Sequence, residues 1–192
     1  DTAVVSAVSS AYGSVHRISA TIGDCWHAPA EIPARVRAMS AAGAQYVKVG
    51  AYLADPAPAL LAALRDACAS SRVIVVAAAE APPAPADLVR VAATGIVGLM
   101  LDTAVKQGPR LRELLDDATL AAFVEGARGL GLLTGLAGRL HEDDIPPLLA
   151  LAPDYLGFRG ALCGADTRTG DIDPARVAHI RRCILSRSIT PA

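Results

Sequence analysis

Apolar residues along this chain fall into short unbroken runs rather than strict alternation. RISATI (17–22), QYVKVG (45–50), VIVVAA (73–78), IVGLMLD (96–102), LLTGLA (132–137) and DYLGFR (154–159) each read as a strand. An unbroken apolar run predicts a strand buried on both faces, as in a parallel sheet covered by helices. Between the runs the pattern predicts helices at 30–42, 56–69, 85–93, 109–128, 142–150 and 174–186. Asp55 before Pro56, and Asp173 before Pro174, read as N-caps followed by a first-turn proline. Six βα units in series fit either an open doubly wound sheet or a closed eight-stranded barrel. No G-x-G-x-x-G follows the first strand. The glycine-rich stretches LAGRL and GFRGALCG instead come after the last two, where barrels hold a phosphate on backbone N–H groups. The expectation is an α/β fold of the (β/α)8 TIM-barrel type lacking its first one to two βα units. It forms one domain over residues 1–192, incomplete at its N-terminal end.

Composition narrows the function classes. Apolar residues make up 53% and aromatics only 4%, so the core must be built from Ala, Val, Leu and Ile. With a net charge of −1 and no basic run, nucleic acid is not an expected partner. No apolar run reaches the roughly 18 residues of a membrane span, so no membrane association is expected. Cys25, Cys68, Cys163 and Cys183 are far apart and form no C-x-x-C pair, which reads as reduced thiols in a cytoplasmic protein. DTAVVSAVSSAYG lacks both a basic leader and an initiator Met, so the chain is expected to begin inside a longer gene product.

The basic residues carry the sharper signal. Of 18, all but Lys48 and Lys106 are arginine. A guanidinium stays protonated, whereas an ammonium can be desolvated, lose its proton and attack a carbonyl. Lys48 sits inside an apolar strand, where a charge needs a partner or a cavity. Asp102 ends the fourth run, with Lys106 just beyond it in MLDTAVKQG. In a parallel barrel the C-terminal ends of all strands share one rim, so these three residues converge there. Asp102 reads equally as the cap of the next helix, Lys106 as a solvated loop charge, and Asp24 as a loop cap or second carboxylate. Arg139 and Arg159 are candidates for gripping a phosphate, Arg139 equally an exposed loop residue. His16, His27, His141 and His179 share no ligand spacing, and Cys163 has no local histidine. Neither a metal site nor a nucleophilic thiol is therefore expected. Glu142 to Asp144 read as the acidic first turn of a helix.

ISATIGD, YVKVG, MLDTAVKQG, GLAGRL and PDYLGFRGALC stand in an order and spacing that resembles the (5-formylfuran-3-yl)methyl phosphate synthase family, over residues 17 to 185. The resemblance implies a (β/α)8 barrel that condenses two glyceraldehyde 3-phosphate molecules into a phosphorylated furan aldehyde, with loss of one phosphate and of water. It implies lysine Schiff-base chemistry in a pathway to methanofuran or methylofuran; nothing visible in the sequence requires a metal or organic cofactor. It places Lys48, Asp102 and Lys106 in proton transfer and in holding the carbonyl intermediate, and puts the loops at Gly138 and Gly160 at the phosphate end. Family members begin with a strand bearing Asp-x-Lys-Asn/Asp-Pro, whose lysine is usually assigned the Schiff base, and nothing like it occurs here. Arg139 stands where the family tends to have serine, and Gln107 where it often has aspartate. A short proline-rich connection, AEAPPAP, follows the third strand.

The leading expectation is thus a lyase-type synthase on a triose phosphate, its missing lysine supplied from outside this sequence. A non-catalytic barrel binding a phosphosugar or a partner, and a different Schiff-base aldolase using Lys48 or Lys106, are the alternatives. A barrel short of two strands exposes an open sheet edge, which predicts a homo-oligomer or poor folding of the 192 residues alone.

Overall fold

Side chains alternate across a strand, so an unbroken apolar run must meet an apolar surface on both sides. Both surfaces are present in the computed structural model, which describes residues 1–25, 27–105, 107–164 and 170–187. Among the described residues the chain runs α1 (Thr2–Tyr12), β1 (Ser19–Asp24), α2 (Ile32–Ala41), β2 (Tyr46–Ala51), α3 (Pro58–Cys68), β3 (Val73–Ala78), α4 (Pro85–Ala92) and β4 (Gly98–Asp102). It continues through α5 (Leu111–Leu114), α6 (Asp117–Gly129), β5 (Leu133–Ala137), α7 (Ile145–Ala150), β6 (Tyr155–Gly157) and α8 (Pro174–Arg187). Short 3-10 turns precede α2 (Pro29–Glu31) and α7 (Glu142–Asp144), and another follows β6 (Gly160–Leu162).

All the strand pairs are parallel, and the strands lie in the order in which they occur in sequence. Such an order turns every crossover the same way and curls the sheet into part of a barrel rather than an open doubly wound sheet. Val47, Val49, Val73, Val75, Leu99, Leu101 and Leu136 form one buried row, packed with Ile32, Val36, Leu64, Val91, Leu120 and Val124 of the helices. On the concave side Tyr46, Ile74, Met100 and Ala137 form a second cluster, joined by Val76, Leu133 and Tyr155. A Cβ at Gly135 would overlap the Tyr155 ring, so that glycine lets the ring lie across the concave face.

Several boundaries differ from the expectation. α1 was not predicted: its TAVVSAVSSAY carries no charge, and it is held by Asp1, whose carboxylate accepts from the Ala3 N–H at 2.9 Å, and by Ser9, whose hydroxyl donates to the Gly43 carbonyl at 2.7 Å. Asp55 is not a cap, since α3 begins at Pro58 after Ala57, and the Asp55 carboxylate instead accepts from Arg90 at 2.9 Å. The helix expected over 109–128 is two, because Leu115 is extended and Asp116 caps α6 by accepting from the Thr119 N–H at 2.8 Å. Asp173 does cap α8, accepting from the Ala175 N–H at 2.8 Å.

Candidate active site

Alternation and register decide which polar groups face inward. Lys48 pairs in register with Ile74 and through it with Gly98, while Asp102 pairs with Ala78. Register partners in a parallel sheet share a face, so Lys48 and Asp102 both lie on the concave side with Ile74 and Met100. Lys48 is the third of six residues in β2, set deeper than the rim on which it was expected to converge, and is half-buried. Burial pushes its ammonium pKa below the ordinary lysine value, and the negative charge of Asp102 works in the opposite direction. Burial prevails, and the lowered pKa makes Lys48 a stronger candidate for proton transfer or imine formation than a solvated lysine.

Asp24 enters the same region from the end of β1. Gly23 takes φ +83°, the register between β1 and β2 shifts there, and the Cys25 N–H reaches the Gly50 carbonyl at 3.0 Å. The space that a side chain at Gly50 would need is filled by the Asp24 carboxylate. Gly50 is the next inward position beyond Lys48 on β2. Asp24 and Asp102 also line one cavity of about 40 Å³, with Val76, Thr103 and Ala104. Two carboxylates therefore stand at the rim over a lysine set deeper. Asp102 is not the cap of α5: Arg110 takes that place, its N–H donating to Glu113 Oε2 at 2.7 Å.

Lys106 lies outside the described residues. The loop around it is held by a residue that sequence reasoning passed over: Glu80, just after β3, accepts from the Ala104 and Val105 N–H groups at 3.0 and 2.9 Å. The available signal was an acid directly at the end of an apolar strand, the position already used to select Asp102.

Gly138 and Arg139 follow β5, and Arg159 and Gly160 follow β6; the pairing of Ala137 with Gly157 sets both loops side by side on the rim. Gly138 has φ +121°, and a Cβ there would lie 2.8 Å from Thr103 Cγ2, so glycine lets the loops after β4 and β5 touch. Its carbonyl accepts from the Leu111 N–H at 3.0 Å. Arg139 is exposed at φ +53° and contributes, behind Arg110, to holding the Glu113 carboxyl below its ordinary range. Arg159 is exposed, and its carbonyl accepts from the buried Cys163 thiol at 3.3 Å. All four histidines are exposed.

The family profile described as 4-HFC-P synthase matches residues 1–181. The chain belongs to the 4-HFC-P synthase family. A Methanothermobacter thermautotrophicus (5-formylfuran-3-yl)methyl phosphate synthase is 35% identical over 182 residues, which is 87% of this chain and 76% of that relative. A Methylorubrum extorquens protein provisionally given the same name is 46% identical over 151 residues, 78% of this chain. The match spans 62% of that relative, less than two thirds of its length. Among solved structures, 3-keto-L-gulonate-6-phosphate decarboxylase from Vibrio cholerae superposes with a TM-score of 0.65 at 14% identity, covering 96% of this chain and 79% of that one. Phosphoribosyl anthranilate isomerase from Thermus thermophilus gives 0.62 at 18% identity, covering 98% and 80%. At such identities the likeness shows the fold alone, a TIM-barrel-like α/β architecture. No helix among the described residues is long and apolar enough to cross a membrane.

Proposed function

We propose that this chain is the larger part of a (5-formylfuran-3-yl)methyl phosphate synthase. It condenses two glyceraldehyde 3-phosphate molecules through a lysine Schiff base, toward the furan of methanofuran-type cofactors. The observation that carries this reading is Lys48, an inward-facing lysine whose ammonium is disfavoured by burial, set below two rim carboxylates in a member of this family.

In the proposed reaction two trioses yield one furan product, one phosphate and two waters, so no oxidant or reductant is needed. The imine lysine stands on one of two βα units outside these 192 residues, which together complete an eight-stranded barrel and cover the β1 edge. Lys48 in its neutral form takes the proton that must leave the carbon beside the imine, and Asp102 carries it on toward the leaving oxygen. Lys106 and Asp24 assist at the same rim. The loops at Gly138–Arg139 and Arg159–Gly160 receive phosphate, the glycines by backbone approach and the arginines by charge. The protein works in the cytoplasm.

The test uses the full-length product of the gene that encodes these residues. Glyceraldehyde 3-phosphate is expected to give a furan aldehyde, followed by its ultraviolet absorbance. Borohydride added during turnover is expected to leave a fixed mass increment on one lysine. Lys48→Met is expected to cut kcat by about 10²-fold or more, the scale of a lost general acid–base group. Neither product nor adduct would sink the synthase reading in favour of a binding protein. An adduct mapped to Lys48 itself would make that residue the nucleophile and overturn its assignment to proton transfer.

A further inference from the structure

The middle of the last helix meets the loop after β5 at a point where three ligand-type side chains converge. Glu142 opens the 3-10 turn before α7, and His179 and Cys183 stand one turn apart on α8. Glu142 Oε2 lies 2.7 Å from His179 Nε2, Glu142 Oε1 lies 3.4 Å from Cys183 Sγ, and Sγ lies 3.7 Å from Nε2. One donor atom from each of the three lies within 4.8 Å of the others.

Two chemistries use these residue types together. A nucleophilic relay needs the thiol on one ring nitrogen and the carboxylate on the other, so that the imidazole passes a proton between them. Here both partners address the same Nε2, which does not suit a relay. A metal needs the opposite, three donors aimed at one point. For zinc, bonds of about 2.3 Å to sulfur and about 2.0 Å to nitrogen and oxygen at tetrahedral angles put ligand atoms roughly 3.3–3.6 Å apart. Cys183 Sγ, at 3.4 Å from Glu142 Oε1 and 3.7 Å from His179 Nε2, lies close to that range. The 2.7 Å hydrogen bond between Nε2 and the other carboxylate oxygen, Oε2, must break as the ion enters and takes the Nε2 lone pair.

We infer that Glu142, His179 and Cys183 bind a divalent metal ion of the zinc class, which ties α8 to the turn preceding α7. Glu142 and His179 are exposed and Cys183 is half-buried, so an ion reaches them without unfolding. The carboxylate and the thiolate balance the double positive charge. On binding, the Cys183 S–H bond gives way to an S–metal bond and its proton leaves to solvent, while His179 coordinates through the neutral Nε2 lone pair. Glu142 and His179 line a cavity of about 440 Å³ together with His141 and Arg176, which leaves room for a water or an anion as a fourth ligand. The site is separate from Lys48 and Asp102, so it stands or falls apart from the proposed activity.

The test takes the full-length gene product, reduced and stripped with a chelator, and titrates it with Zn²⁺ and, as a spectroscopic probe, Co²⁺. One equivalent of zinc is expected to survive gel filtration and to raise the thermal midpoint. Cobalt is expected to give the intense visible bands of a tetrahedral ion together with a thiolate-to-cobalt charge-transfer band. Cys183→Ser should remove the charge-transfer band, and His179→Ala should weaken binding by about 100-fold or more. Cys68→Ser should change neither. Circular dichroism checks that each variant is folded. A wild-type protein that retains no equivalent of either ion overturns the assignment whatever the variants do. So does a charge-transfer band that survives in folded Cys183→Ser.

Discussion

Lys48 shows how much of one residue's chemistry depends on where its neighbours stand. Desolvation holds its ammonium below the ordinary lysine pKa, and Asp102 pulls it part of the way back. The pH dependence of reductive methylation at Lys48, followed by peptide mass, should have its midpoint below that of a solvated lysine. In Asp102→Asn the midpoint should fall further, because the opposing charge is gone while the burial remains. A midpoint that stays or rises in Asp102→Asn would remove Asp102 as the partner. The linkage has a definite sign: between the folded and unfolded pKa values the unfolded chain holds more protons, so Lys48 makes stability rise with pH there. Its penalty is fully present below the folded pKa. That Lys48 was worth attention was legible in sequence, because a lysine inside YVKVG is costly without a partner. Its depth was not, since apolar continuity alone does not say where a strand ends.

At the scale of elements, the loop between β4 and α5 illustrates support from a distance in sequence. Glu80 holds the Ala104 and Val105 N–H groups, two hydrogen bonds to a charged acceptor at an exposed site. Glu80→Ala should speed hydrogen exchange at those two amides, with a loss of global stability of about 1–2 kcal/mol. Unchanged exchange would mean the loop is held by other contacts. The strands themselves were readable because two apolar surfaces leave no room for polar alternation. Helices were readable where a cap and an apolar stripe coincide, as at Asp173. They were misread where a capping Asp sits within an apolar stretch, as at Asp116 in LLDDATL, or where an Asp-Pro pair serves an ion pair instead, as at Asp55.

For the molecule as a whole, the consecutive strand order leaves β1 and β6 paired on one side only among the described residues. Val4, Val8, Tyr12 and Val15, on α1 and just after it, are exposed large apolar side chains near the β1 end of the chain. Unpaired backbone and uncovered apolar surface favour association. Sedimentation of the 192 residues alone should therefore show oligomers or aggregation. A well-folded monomer would sink that expectation.

The sequence by itself determined what is local: buried strands from unbroken apolar runs, a helix start from Asp173-Pro174, and two conspicuous lysines among arginines. It also determined the family, because the motifs keep their order along the chain. Only the tertiary structure decided what meets what. Lys48 and Asp102 share a face through strand register, and Asp24 joins them because Gly50 leaves room for its carboxylate. Glu142 finds His179 and Cys183 across 37 and 41 residues because α8 packs back against α7. Spacing along a chain encodes the faces of single elements, whereas the distance between two elements is set by the packing of all the side chains between them.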